Sequence, residues 1–268
     1  MTNSVRLMPG ADPFFRRGGP AGCLVVHGFA SSPGEVRWLA QHMSEAGFTT
    51  LAPRLPGHGS SPIDLRRMRR RDWLAALLDA YAVLRDQCER VIVVGHSMGG
   101  LLSLRLSLEV EVEGVAVLAS PVRYAPGLIH YSRWLKYGLI YTDQSDHSGL
   151  GEVVRQEQAR RGEPILGRAR YDRWATSAVA ELYALSQEVD SLLPQIRTPL
   201  LLVYSEADRT APPFNGERIR DRAASADKTL IVLEKSGHNL PIDRERDTVF
   251  KLASDFALRL TQMAYSTD

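Results

Sequence analysis

Residues 91–100 read Val-Ile-Val-Val-Gly-His-Ser-Met-Gly-Gly. The apolar run Val91 to Val94 ends in Gly95-His96-Ser97-Met98-Gly99, which fits G-x-S-x-G. Leu101, Leu102, Leu104 and Leu106 follow, so a helix is expected from near Met98. The pentapeptide alone recurs by chance; a buried strand before it and an apolar helix after it give it weight. The small residues have a physical purpose. Ser97 must sit on a tight, strained turn so that its hydroxyl projects beyond a sheet edge, and side chains at 95 and 99 would collide with neighbouring backbone.

Outward from this stretch, apolar runs alternate with amphipathic ones. Gly22 to His27, Thr49 to Ala52, Val115 to Ala119, Pro199 to Tyr204 and Thr229 to Leu233 read as strands. Residues 33–47, 71–86 and about 245–262 read as helices, the second with Trp73, Leu74, Leu77, Leu78, Tyr81 and Leu84 at spacings of three and four. Residues 54–62 are rich in Gly and Pro and read as loop. The expectation is an α/β fold with a mostly parallel central sheet covered by helices on both faces. The alternation breaks between about 121 and 190. That segment holds Tyr124, Tyr131, Trp134, Tyr137, Tyr141, Tyr171, Trp174 and Tyr183, and no Phe. Such rings either line an apolar pocket with their polar tips in water or anchor a small helical subdomain to the sheet.

A serine hydroxyl is a poor nucleophile at neutral pH and needs a base, which needs an orienting acid. His238 follows the strand Thr229 to Leu233, and Asp208 follows the strand Pro199 to Tyr204. Loops at strand carboxyl ends are where α/β folds place active groups. Glu206 and Asp190 are the rival carboxylates. His96 is expected to turn away from the Ser97 hydroxyl and to support the turn, while His42, His130 and His147 read as surface or structural. An acyl-transfer intermediate also needs donors for its oxyanion. The backbone N–H of Met98 is one candidate. The backbone N–H of Phe29, in the loop His27-Gly28-Phe29-Ala30, is the other.

The segments LVVHGF (24–29), APRLPGHGSSP (52–62) and GHSMGG (95–100), with those of Asp208 and His238, resemble the α/β-hydrolase superfamily. Within it they resemble small bacterial carboxylesterases and monoacylglycerol lipases. The resemblance covers about residues 20–125 and 195–265. It implies an α/β-hydrolase fold, with Ser97 as nucleophile, Asp208 and His238 as its partners, and Phe29 and Met98 as oxyanion donors. It also implies a core of residues 1–120 and 191–268 with residues 121–190 inserted as a helical cap. The activity implied is hydrolysis of carboxylic esters, of short to medium acyl length or monoacylglycerols, through an acyl-enzyme. A serine at the turn argues against the dehalogenases and epoxide hydrolases of this fold, which use Asp. Thioesterase, C–C hydrolase, peptidase and cofactor-free haloperoxidase readings stay open, as does that of a small-molecule receptor.

Composition narrows the partners. The chain has 268 residues, 44% hydrophobic and 24% charged, with a formal net charge of +2. Those values fit a globular chain and give no support for nucleic-acid binding. The even charge balance fits an uncharged ester better than a polyanion. Cys23 and Cys88 are the only cysteines, so a disulfide scaffold is excluded, and Cys23 reads as a buried small hydrophobe. No zinc-finger spacing occurs; neither cofactor nor metal is expected. The start MTNSVRLMPG lacks signal-peptide features, and no apolar run approaches the roughly 20 residues that span a bilayer. A cytoplasmic protein without stable membrane insertion is expected, monomeric or homodimeric, with a small-molecule ester as its partner. The basic stretch Arg66 to Arg71 reads as a solvated loop and helix start, with anionic lipid or an acidic protein as the alternative.

Overall fold

A computed structural model describes residues 6–144 and 149–262; His147 lies outside the described residues. The strands are β1 (Phe14–Arg16), β2 (Ala21–Val26), β3 (Thr49–Ala52), β4 (Arg90–His96), β5 (Gly114–Leu118), β6 (Tyr141–Asp143), β7 (Arg173–Ala175), β8 (Leu200–Ser205) and β9 (Lys228–Leu233). The helices are α1 (Arg37–Glu45), α2 (Pro62–Arg67), α3 (Arg70–Gln87), α4 (Met98–Leu106), α5 (Ser132–Leu135), α6 (Leu150–Arg160), α7 (Thr176–Leu192), α8 (Phe214–Arg222) and α9 (Arg246–Gln262).

Seven strands form one sheet in the order β1-β3-β2-β4-β5-β8-β9. All neighbours pair in parallel except β1, which runs antiparallel to β3. Helices α1 and α9 pack together on one face, and α3 and α4 on the other. Strands covered on both sides must be apolar along their whole length, and they are: Leu24 to Val26, Ile92 to Val94, Val115 to Leu118 and Leu200 to Val203 are buried. This is the mostly parallel, doubly covered sheet that the sequence pattern predicts, and the α/β-hydrolase fold that the resemblance implies. Strand β9 departs from that pattern. It closes one edge, so only one neighbour covers it, and its residues range from buried Leu233 to exposed Val232.

Chain order reverses between β2 and β4. The chain leaves β2 toward β3 on one side and returns to place β4 on the other. Loops leaving β2 and β4 therefore diverge and open a crevice at the carboxyl edge, the usual ligand site of open α/β sheets. Residues 27–30 and Ser97 lie on its two sides.

Residues 121–190 carry α5, α6, most of α7 and a two-stranded antiparallel ribbon, β6 with β7. The ribbon was not foreseen, because two three-residue strands leave no periodicity to read. Helix α7 runs on to Leu192 and packs on α4. It also anchors the basic stretch: Glu181 and Glu188 pair with Arg70 at 3.0 and 2.9 Å, and Arg69 meets Glu181 at 3.4 Å. Cys23 and Cys88 are buried, free thiols, and burial raises the Cys23 pKa. Among the described residues, no helix is long and apolar enough to cross a membrane.

Candidate active site

The turn after β4 has the strained geometry that its glycines imply. Ser97 adopts φ 53° and ψ −117°, a conformation that costs a non-glycine residue about 1–3 kcal/mol. A Cβ on Gly95 would overlap the backbone of Gly99 and Gly100, and one on Gly99 would overlap the Val26 carbonyl. The surroundings hold the turn. The Ser97 N–H donates to the Leu118 carbonyl at 2.8 Å, and the Ser120 hydroxyl donates to the Ser97 carbonyl at 2.8 Å. The buried Tyr204 hydroxyl in turn donates to the Ser120 carbonyl at 2.8 Å.

Two loops at the same sheet edge meet Ser97. His238 Nε2 lies 2.9 Å from Ser97 Oγ, and His238 Nδ1 lies 2.8 Å from Asp208 Oδ2. A carboxylate only accepts, so Nδ1 carries the proton and Nε2 is left to accept from the serine hydroxyl. Burial alone would raise the Asp208 pKa. The hydrogen bond and charge of His238, with N–H donors from Ala211 and Thr210 at 2.9 and 2.7 Å, outweigh it and hold the carboxyl below its ordinary value. The rival carboxylates lie elsewhere. Glu206 is exposed, and Asp190 is held by Arg123, Arg218 and Arg222. The His238 loop is itself fixed: Glu245 accepts from the N–H groups of Lys235 and Ser236, and Asp243 from that of Gly237.

Met98 opens α4, so its N–H has no acceptor within the helix. Phe29 follows β2, lines the pocket above Ser97, and its N–H has no acceptor among the described hydrogen bonds. His27 shapes that loop from below. Its Nδ1–H donates to the Gly28 carbonyl at 2.8 Å, and its Nε2 accepts from the Leu55 N–H at 3.2 Å. Burial pushes its pKa down to about 4, so the ring is neutral, as an acceptor nitrogen requires.

Sequence reasoning missed one group. Glu35 is buried beside the site, and its Oε2 accepts from the Gly28 N–H at 2.8 Å and from His96 Nδ1 at 3.0 Å. The other ring nitrogen of His96 faces the His238 carbonyl at 2.9 Å. His96 does turn away from the Ser97 hydroxyl, as expected, yet it joins three loops. Both its partners are acceptors, so the ring carries two N–H groups and a positive charge. Burial alone would lower the His96 pKa, but the Glu35 charge and hydrogen bond raise it above the ordinary value. Burial would likewise raise the Glu35 pKa, but His96 holds that carboxyl well below the carboxylate range. The only sequence signal was a glutamate placed next to the apolar face of α1.

Above Ser97 and His238 lies a pocket of about 660 Å³. Phe29, Tyr124, Ile129, Leu150, Val153, Trp174 and Leu182 supply its apolar wall. Of the eight aromatic residues in 121–190, Tyr124 and Trp174 line it, whereas Tyr131, Trp134 and Tyr137 face outward.

The model of the alpha/beta hydrolase family matches residues 23–252. The chain belongs to that family. It is 28% identical to a thermostable monoacylglycerol lipase of Bacillus sp. (strain H-257), over 96% of this chain and 98% of that protein. It is 26% identical to a carboxylesterase of Bacillus subtilis (strain 168), over 92% and 96%. Among solved structures, a metagenome-derived lipolytic enzyme superposes with a TM-score of 0.85 at 26% identity, covering 95% of this chain and all of that one (100%). The α/β-hydrolase of this chain is thus a carboxylic ester hydrolase.

Proposed function

We propose that the protein is a serine esterase cleaving short- to medium-chain acyl esters, monoacylglycerols included, through an acyl-enzyme. One observation carries the reading: a continuous hydrogen-bonded line, Ser97 to His238 to Asp208, at 2.9 and 2.8 Å beneath the pocket. His238 Nε2 takes the Ser97 proton as Oγ attacks the ester carbonyl carbon. The N–H groups of Phe29 and Met98 receive the oxyanion. The C–O bond to the alcohol then breaks and the alcohol leaves with the proton held on His238. Water repeats the cycle on the acyl-enzyme and frees the acid. Asp208 holds the tautomer and balances the imidazolium charge.

In this reading residues 121–190 form a cap over the acyl pocket, whose volume lies in the usual range of about 300–1,000 Å³ for ligand sites. Tyr124 Oη and Trp174 Nε1 are buried and have no partner among the described residues, so they can bond polar atoms of an ester. The deciding experiment combines labelling with turnover. A serine-directed phosphonate should modify Ser97, mapped by mass spectrometry, and an ester panel of rising acyl length should show sustained turnover. An adduct on another residue, or a single burst without turnover, would overturn the proposal.

A further inference from the structure

The charge balance of the whole chain does not hold at the pocket mouth. Five cations line the pocket: Arg168, Arg170, Arg209, Lys235 and Arg244. Two carboxylates line it too, and both are engaged. Glu35 answers His96 and the Gly28 N–H. Asp243 accepts from the N–H groups of Gly237 and Arg244 at 2.7 and 2.8 Å. Glu206 and Glu234, near the site in sequence, do not line the pocket.

Three of the five cations differ from those arginines outside the pocket that carboxylates hold: Arg70 and Arg105 with Glu188, Arg123, Arg218 and Arg222 with Asp190, Arg259 with Asp227. The side chains of Arg209, Lys235 and Arg244 make no ion pair or hydrogen bond among the described residues. All three are exposed and sit on the loops that carry Asp208 and His238. A concave, partly apolar pocket concentrates such a field at the point where a substrate enters.

We propose that the pocket mouth recognises an anion, and that preferred substrates are esters bearing a carboxylate or phosphate away from the scissile bond. This rests on the esterase reading above and deepens it. The bound anion meets Arg209, Lys235 and Arg244 while the acyl chain enters the apolar wall. Each exposed contact is worth about a factor of two to three, so the three together favour an anionic ester roughly tenfold over its neutral match.

Two matched pairs separate the sources of the charge. Nitrophenyl octanoate against the nitrophenyl monoester of suberic acid places a carboxylate on the acyl side. Octanoylglycerol against octanoylglycerol phosphate places a phosphate on the alcohol side. The expected result is a kcat/KM about ten times higher for the anionic member of at least one pair at low salt. That ratio should fall as salt rises and approach one in Arg209→Gln/Lys235→Gln/Arg244→Gln. Equal kcat/KM within both pairs at low salt would overturn the proposal, as would a ratio indifferent to salt and to the triple substitution. Calorimetric binding of the same pairs to Ser97→Ala reads the preference without turnover. Equal Kd values there would refute anion recognition, whereas no hydrolysis of any of the four esters by the wild-type protein, with a retained Kd difference, would refute only the esterase reading.

Discussion

Glu35→Gln tests the reasoning about the buried pair beside the loops that carry Ser97 and His238. Glu35 Oε2 accepts two hydrogen bonds, at 2.8 Å from Gly28 and 3.0 Å from His96, and its charge keeps His96 doubly protonated. An amide oxygen in the same place could still accept both. It supplies no charge, however, so buried His96 loses a proton and one N–H. Either the Glu35-side bond or the bond to the His238 carbonyl is then lost. Losing a buried hydrogen bond costs about 1–3 kcal/mol, and removing one partner of a buried ion pair about 3–5 kcal/mol. Because glutamine keeps the shape and part of the bonding, about 3 kcal/mol is expected, equivalent to a fall in Tm of about 6–10 °C for a chain this long. A His238 carbonyl or Gly28 amide left free should also lower kcat by about tenfold.

The same pair sets a pH signature. The His96 pKa is raised above 6.5 in the fold, so its contribution is full below that value and is lost as pH rises through the folded pKa. The Glu35 pKa is depressed below 4.5, so its contribution is present above that value and is lost as pH falls through the folded pKa. The stability gap between wild type and variant should therefore be widest between 4.5 and 6.5 and narrow above the raised His96 pKa. Urea unfolding of both proteins across pH measures it, and nitrogen NMR of the wild-type imidazole should find both His96 nitrogens protonated near pH 6. A gap below about 1 kcal/mol with no pH dependence, or a singly protonated His96, would show the reasoning to be wrong.

Three further outcomes are expected. Ser97→Ala should lower kcat by on the order of 10⁶ with an unchanged circular dichroism spectrum, and retention of a tenth of the activity would sink its assignment as nucleophile. Asp208→Asn should cost about 10⁴ in kcat by disturbing the His238 tautomer, and a mild loss would point to another carboxylate. Gly99→Ala should lower thermal stability by about 1–3 kcal/mol or more, because its Cβ meets the Val26 carbonyl, and an unchanged Tm would contradict the close strand–helix approach.

Much of the fold was legible because parallel strands buried on both faces must be apolar throughout. Strands β2, β4, β5 and β8 stand out for that reason. Strand β1 did not, since Phe14 to Arg16 is short, half exposed and followed by another arginine. The ribbon of β6 and β7 escaped for the same lack of length. The α2 helix begins at Pro62, where the reading placed only loop, because a six-residue helix offers less than two turns of pattern. Glu35 and His96 are 61 residues apart and become partners only because β2, which leads into the Glu35 segment, pairs with β4, which ends in His96.

The sequence by itself determined the turn at Ser97. Its glycines and flanking apolar runs dictate a local backbone conformation, and local conformation follows from near neighbours in the chain. It also put Asp208 and His238 each directly after an apolar strand, where α/β folds place active groups. The tertiary structure alone decided which carboxylate faces His238, which charge His96 carries, and where Arg209, Lys235 and Arg244 stand without partners. Those are distances between remote segments. Burial and hydrogen bonding convert such distances into protonation states and fields, and a residue's neighbours in sequence carry no record of them.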